Sequence, residues 1–365
     1  MKTLIARLLS AVVWIVNLLI ALLTLCSAYS ESLSPVTHPD LSCLGLAFPL
    51  FAMAEIALLV LLLAFRQYRK ALLPFLVFVL CFSQLRAYCP INLFRAGAVG
   101  DTLTVLSYNV MSLPDDKDEE GTNRILSYLR DSGADVICLQ EYNLSNSPSR
   151  LRQRDVEHVL GGLYPYRSVT AVGRSKSNHV ACFSRFPILS ERSIGGQGSY
   201  NGSAVYEIGY GADTITVVNN HLESNKLTEE DKAMYKDMLT DPEKQKMETG
   251  LRALFGKLGE ASAIRSVQVD SLVALIDESS SRRLIVCGDF NDSPISYAYH
   301  SVARRLDDAF TRVGNGPGIS YHRVGFLFRI DHIFADSRFR PIDCRVDRSI
   351  DVSDHYPVRA TFVSE

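Results

Sequence analysis

Leu8–Ser30 carries no charged side chain. A stretch this apolar, longer than the ~20 residues that span a bilayer, has one stable form in lipid, a helix that satisfies its own backbone. A secretory signal has a shorter apolar core, about 7–15 residues, and a small-residue cleavage site. Leu23–Cys26 fits a lipoprotein acylation box poorly, because Leu25 is large. The segment is therefore read as an uncleaved anchor. Leu41–Phe65 is a second span, with Glu55 near its middle. Ala71–Leu85 is a third, which reaches spanning length only if it runs past Arg86 toward Leu93. This predicts a transmembrane anchor over 1–95, with two to three helices at about 8–30, 41–65 and 71–93. A linker at 96–101 and one catalytic-sized domain at 102–365 follow.

Basic residues set the orientation. Lys2 and Arg7 precede the first span, and Arg66, Arg69 and Lys70 follow the second, whereas the 30–40 loop has no Lys or Arg. The N-terminus is expected inside and the 30–40 loop outside. If the third segment spans, the remainder lies outside, on the periplasmic face of a bacterial inner membrane; if it only dips, the remainder is cytoplasmic. Cysteines inside strands favour a reducing compartment. The length and apolarity of the third segment favour the outside and weigh more. The eight cysteines show no CxxC or zinc spacing and read as small buried hydrophobes. Glu55 reads as structural, neutral or bonded to Asn17 or Arg86, although an intramembrane acid can also be functional.

Beyond the anchor, strands are predicted at 102–108, 135–139, 166–172, 179–184, 204–209, 213–219, 284–288, 330–334, 343–346 and 357–362. Helices are predicted at 122–130, 151–160, 227–276 (broken near Asp241-Pro242) and 296–304. Strands entering long helical connections make a mixed α/β domain with a large core. The 223–262 excursion reads as a solvated helical insertion, with the cleft and the bilayer as alternatives.

Polar clusters recur where these strands end: SYNV with Asn109, LQE with Glu141, NNHL with Asn219 and His221, GDFN with Asp289 and Asn291, RIDHI with Asp331, and SDH with Asp354 and His355. In GDFN, Asp289 and Asn291 at i and i+2 project to one side of an extended chain. The inventory offers carboxylates for a hard divalent cation, amides for phosphate oxygens and two imidazoles. It suits Mg²⁺-assisted hydrolysis of a phosphoester and does not suit structural zinc. His322 and His332 read as non-catalytic.

In their order these motifs resemble the endonuclease/exonuclease/phosphatase (deoxyribonuclease I-like) superfamily over about residues 100–365. The whole chain resembles its membrane-anchored, Bacteroidetes-type bacterial members. The resemblance implies a four-layer sandwich of two β-sheets flanked by helices. It implies Glu141 as the main metal ligand, with Asn109 beside it and Asp354 completing the metal region. Asp289 would orient the attacking water, and Asn291 would bind phosphate. His355, held by Asp331, and His221 would contact phosphoryl oxygens, and Asn219 and Arg185 would bind substrate. The cofactor is expected to be Mg²⁺, or Mn²⁺, as one or two ions.

Departures narrow the branch. Met111 stands where abasic endonucleases carry an aspartate, and His221 where they place a Tyr. Trp14 is the only Trp, against the Trp-rich motifs of inositol-polyphosphate 5-phosphatases. No clear acid supports His221; Glu207 is the weak candidate. Arg174 and Lys176 are candidate rim cations. The anchor favours a lipid headgroup as substrate. The alternative is a nuclease, which the net charge of −2 disfavours. A non-catalytic binding module would be expected to have lost the acids that are present, and a transporter or sensor has thin support. No protein partner is inferable.

Overall fold

The computed structural model describes residues 2–93, 97, 100–144, 151–195, 198–226, 228, 230–231, 233, 244–279, 283–323 and 327–364. The chain begins with helix α1 (Lys2–Tyr29), short helical turns up to Ala47, α2 (Phe48–Ala64), and the pair α3 (Tyr68–Leu80) and α4 (Phe82–Tyr88). Leu4–Ser32 and Pro39–Ala64 are long and apolar enough to cross a membrane; α3 and α4 make a third crossing only as a pair bent by 64°. The straight 71–93 span is thus replaced by a helix broken at Cys81. Outward Leu, Ile, Val and Phe side chains stay exposed for lipid, while Ala21, Ala28 and Ala52 pack inward, as small residues do where membrane helices approach closely. Glu55 bonds to neither Asn17 nor Arg86. Both its carboxyl oxygens are buried without a hydrogen-bond partner, and the Asn17 amide donates instead to the Lys70 carbonyl at 2.9 Å.

The rest of the chain builds two six-stranded sheets. The first is formed by β1 (Thr102–Asn109), β2 (Val136–Gln140), β3 (Tyr166–Val172), β4 (Asn178–Ser184), β11 (Phe339–Val346) and β12 (Val358–Ser364). The second is formed by β5 (Ile188–Ile194), β6 (Gly202–Tyr210), β7 (Asp213–His221), β8 (Arg283–Asp289), β9 (Asp307–Asp308) and β10 (Asp331–Ala335). Among the described residues only β1–β2 and β7–β8 pair in parallel, each pair spanned by a helical crossover: α5 (Arg124–Asp131) and the long α7 (Lys244–Glu278). Asn123 caps α5 by accepting from the Ile125 and Leu126 amides, which places Ile125, Leu126 and Leu129 inward.

Alternation along the strands sends one side-chain set between the sheets and the other under the helices. Val105, Cys138, Val217 and Ile333 meet in the middle. Leu106 and Ile137 pack under α5 and α6 (Gln153–Leu160). Val218 and Val286 pack under α7 through Val269 and Leu272. The result is helix, sheet, sheet, helix, a mixed α+β sandwich. Each fully buried aliphatic side chain contributes about 1.5–3 kcal/mol. The strand cysteines fill this core as free thiols.

Two strands, β5 and β9, were absent from the sequence reading. Strand β5 was missed because Ile188–Ile194 is an exposed edge strand with polar residues at its centre, and β9 is only two residues long. The expected break near Asp241-Pro242 lies outside the described residues, as do residues 96, 98 and 99 of the linker.

The helical segment is docked on the sandwich. Ile295 enters the core formed by Ala28, Phe48 and Cys81. Arg329 pairs with buried Asp308 at 2.9 Å and donates to the Ala87 carbonyl at the end of α4. His300 and Gln84 both reach Glu31, at 3.3 and 2.8 Å. At Gly45 a Cβ would stand 1.9 Å from the Ile295 carbonyl oxygen, so only glycine permits this approach.

Gly288 has φ +131°, and a Cβ there would stand 2.0 Å from the Asn220 carbonyl oxygen on the neighbouring strand. Gly288→Ala is expected to destabilise the fold by about 1–3 kcal/mol or more, read as a lowered thermal midpoint. His332 is buried; its Nε2 donates to the Asp292 carbonyl at 3.2 Å and its ring lies against Phe290 and Tyr299. Burial, aided by Arg329, holds its pKa down at about 4. The unfolded imidazole takes a proton near pH 6.5 and the folded one resists it. This contribution is therefore full above pH 6.5 and is lost as pH falls toward 4. Across that window, wild type in detergent should lose more stability than His332→Phe, by on the order of 3 kcal/mol. Parallel stability curves for the two proteins would refute it.

Candidate active site

The sheet topology gathers the polar clusters at one end of the sandwich. Asn109 closes β1, Glu141 follows β2, His221 closes β7 and Asp289 closes β8. Asp331 opens β10, which runs antiparallel to β8, so Asp331 stands directly opposite Asp289. His221 is its register partner on the other side. His355 precedes β12, antiparallel to β1, and so arrives at the same end.

Hydrogen bonds tie these residues into one constellation. The Asn109 amide nitrogen donates to Glu141 Oε1 at 3.2 Å and to Asp289 Oδ2 at 3.0 Å, bridging the two sheets. His355 Nδ1 lies 2.8 Å from Asp331 Oδ2, and His355 Nε2 lies 3.7 Å from Asp289 Oδ2. His221 Nε2 lies 3.8 Å from the same Asp289 oxygen and 3.7 Å from Glu141 Oε1. Asp289 Oδ1 accepts the Asn291 backbone amide at 2.8 Å, and the Asn291 side chain donates to the Leu222 carbonyl at 3.0 Å. Glu141 and Asn291 both take φ +52°, a conformation costly for side-chain-bearing residues and common at functional sites.

The charges are unevenly compensated. Burial pushes Asp289 up to about 6, Asp331 adds to that, and the two imidazoles pull against it. Burial raises Glu141 as well. Burial alone would lower His355, but the carboxylates of Asp331 and Asp289 overcome it and push it up to about 10, so it is an imidazolium at neutral pH. His221 is held down by burial and is neutral.

A cation suits this surplus of carboxylates. Asp289, Asp331 and His355 present ligand atoms within 4.8 Å of one another, and Asp331 Oδ1 is buried with no hydrogen-bond partner. Glu141 and Asp354 line the same cleft. Hard oxygen donors in this number fit a divalent cation.

Several expected residues fall elsewhere. Asn219 is fully buried between the sheets, donating to the Leu139 and Ala181 carbonyls and accepting from Gln140. Arg185 follows β4 beside the start of β2, at the opposite end of the sandwich, and pairs with Asp135 at 3.2 Å. Glu207 bonds Thr216 in mid-strand, far along β6 from the Gly202 that pairs with His221. In place of an acid, His221 has two amides: Asn178 at 3.0 Å from Nδ1 and Asn201 at 3.2 Å from Nε2. Lys176 turns to Ser193 rather than to the cleft.

Other cleft residues escaped the sequence reading. Arg323 donates to Asp354 at 3.0 Å, and the Tyr321 ring meets the His355 ring edge-on at 5.1 Å. Neither lies in a motif. Asn178 opens β4 one residue before the strand predicted there, and Asn201 sits in a turn; their role appears only once β4, β6 and β7 are side by side. The excursion is not solvated at its far end, because Leu254 and Leu258 are buried against Cys43.

Comparisons with known proteins agree with this geometry. The Endonuclease/Exonuclease/phosphatase family profile matches residues 106–355. A profile described as a domain of unknown function matches residues 10–88. No curated protein matches the sequence. Among solved structures, human Nocturnin's catalytic domain with bound sulfate aligns at TM-score 0.52 and 14% identity, covering 74% of this chain and 98% of that one. D. rerio TDP2 with a single strand DNA product aligns at 0.51 and 17%, covering 72% and 99%. An endonuclease/exonuclease/phosphatase from Beutenbergia cavernae aligns at 0.51 and 16%, covering 72% of each. These likenesses establish the shared fold. With the family match spanning most of the chain and the carboxylate–imidazole cluster at its centre, the chain belongs to the Endonuclease/Exonuclease/phosphatase family and is a membrane-anchored, metal-dependent phosphoester hydrolase.

Proposed function

We propose that the protein hydrolyses a phosphodiester or phosphomonoester in a lipid headgroup by in-line attack of water, with Mg²⁺ or Mn²⁺. The observation that carries this reading is the line Asp331–His355–Asp289, with distances of 2.8 and 3.7 Å, joined to Glu141 through Asn109.

Glu141, Asp354 and Asn109 are assigned to hold the cation. As built, the Asn109 amide nitrogen faces both carboxylates, so ligation would require its oxygen to turn there. The cation supplies charge neutralisation at the phosphoryl oxygens. His355 spends its Nδ1 on Asp331 and is charged, which suits Nε2 to donate to a phosphoryl oxygen. Asp289 is the base that orients the water: its carboxylate is buried and its pKa is raised toward neutrality, as a general base requires. His221 is neutral, and as built the Asn178 and Asn201 amide nitrogens both face its ring, so donation from Nε2 to the developing charge would require the Asn201 amide to turn away. Asn291 lines the cleft beside Asp289 as a phosphate contact.

The division into an anchor over 1–95, a linker at 96–101 and a catalytic domain over 102–365 is part of this proposal. So is a location in a bacterial inner membrane, as in the Bacteroidetes-type members the whole chain resembles, with the catalytic domain on the periplasmic face. The loop between the first two spans touches the catalytic domain through Glu31 and Gly45, so both lie on one side. Arg66, Arg69 and Lys70 lie at the opposite helix ends, where positive residues favour the cytoplasm.

Full-length protein in detergent should release headgroup from a phosphodiester or phosphomonoester phospholipid with Mg²⁺ and not with EDTA. Asp289→Asn and His355→Gln should each lower kcat by about 100-fold or more. Plasmid nicking without headgroup release would make it a nuclease, and silence toward every ester would end the hydrolase assignment. For orientation, in a background with the exposed Cys26 and Cys89 replaced by Ser, Thr37→Cys and Glu119→Cys should react with an impermeant maleimide on spheroplasts, and Gln67→Cys should not. The reverse pattern would place the domain in the cytoplasm.

A further inference from the structure

The catalytic cleft is not made by the sandwich alone. Its cavity, about 550 Å³, has Asp289, His221 and His355 at one end. One of its walls is Cys43, Leu46, Ala47 and Leu50, the segment that leads directly into the membrane-crossing helix α2. Facing it are Leu254, Phe255 and Leu258 of α7. Cys43, Leu254 and Leu258 form a buried cluster with Leu46 and Phe255 packed on it, and at Gly259 a Cβ would stand 3.0 Å from Pro39. The wall is therefore held in place against α7.

The sandwich lines the cavity with the charged groups Glu141, Asp289, Asp354 and His355, whereas the anchor segment contributes the apolar Cys43, Leu46, Ala47 and Leu50. Leu50 is 62% exposed and lies one turn before Met53, 58% exposed, on the same outward part of α2. Helix residues three apart share a face. The apolar wall thus continues onto helix surface that lies within a membrane-crossing segment.

We propose that this wall binds the hydrocarbon chain of a membrane lipid whose phosphoester occupies the Asp289–His355 end. The anchor is then part of the substrate site as well as a tether, and Leu46, Leu50 and Phe255 set the preference for long-chain substrates. The proposal rests on the phosphoesterase reading above. A soluble phosphoester or a nucleic acid has no group that would use an apolar wall opening on the bilayer; a lipid has a phosphate and a chain joined in the order the cavity presents.

The test compares dioleoyl with dihexanoyl phosphatidylglycerol and phosphatidic acid in mixed micelles, with bis-p-nitrophenyl phosphate and p-nitrophenyl phosphate as chainless esters. Wild-type protein should favour the dioleoyl esters in kcat/KM. Leu50→Asp, and Leu46→Trp as an uncharged variant that fills the groove, should each lower dioleoyl turnover about tenfold or more. Activity on the chainless esters should stay unchanged, which shows that the variants fold. Equal activity on both chain lengths, or equal loss on all esters in both variants, would overturn the groove and leave the hydrolase intact. Wild-type silence toward every ester would instead overturn the hydrolase reading, and the groove with it.

Discussion

The Asp289 carboxylate is buried where two sheets meet, and the site is organised around the cost of keeping it there. An isolated charge in such a place would be neutralised by taking a proton. The fold opposes this with an amide from β1, an imidazolium fixed by Asp331 and a backbone amide two residues on. The compensation is partial, and Asp289 remains raised. Partial compensation suits the base proposed here, which would take a proton from water, and serves a site that attracts a cation. Full pairing would have made a stable ion pair with no appetite for either.

That constraint explains the β-architecture. Residues as far apart in sequence as Asn109 and Asp289 meet at 3.0 Å, the reach of a hydrogen bond. Parallel and antiparallel pairing at fixed register does this without loops of improbable accuracy. Gly288 shows the cost. The strand carrying Asp289 runs so close to Asn220 that no side chain fits one residue earlier, which is why a glycine precedes the aspartate in GDFN.

The sequence reading reached the parts of the site that sit at strand ends, because an apolar run followed by an acid or amide is a local pattern. Asn109, Glu141, His221 and Asp289 end such runs, Asp331 and His355 precede them, and all six meet in the structure. Asn219 ends such a run too, but alternation turns it between the sheets, where its amide closes orphan carbonyls. Only register distinguishes it from His221 two residues later. Arg185 was assigned by charge, yet its strand ends at the far pole of the sandwich. Asn201 and the Arg323–Asp354 pair lie in turns, where composition carries no directional signal, and Asn178 opens β4 one residue before its apolar run. β5 was lost because an exposed edge strand has no apolar period to detect.

The same limit hid the joint between membrane helices and sandwich. Hydropathy finds a span because lipid imposes one requirement on every residue of it. It is blind to Gly45 lying against Ile295, or to Leu254 closing over Cys43, since those contacts depend on two segments brought together by the fold. A tether on a flexible linker raises the local concentration of any substrate at the bilayer, but it leaves the orientation of the cleft free. Here Ile295, Arg329 and Glu31 fix the sandwich to the helix ends. A fixed joint confines the cleft to one height and one facing relative to the membrane. Such confinement helps a soluble substrate not at all and helps a lipid headgroup at every encounter, so the docking itself is physical support for a substrate that stays in the bilayer.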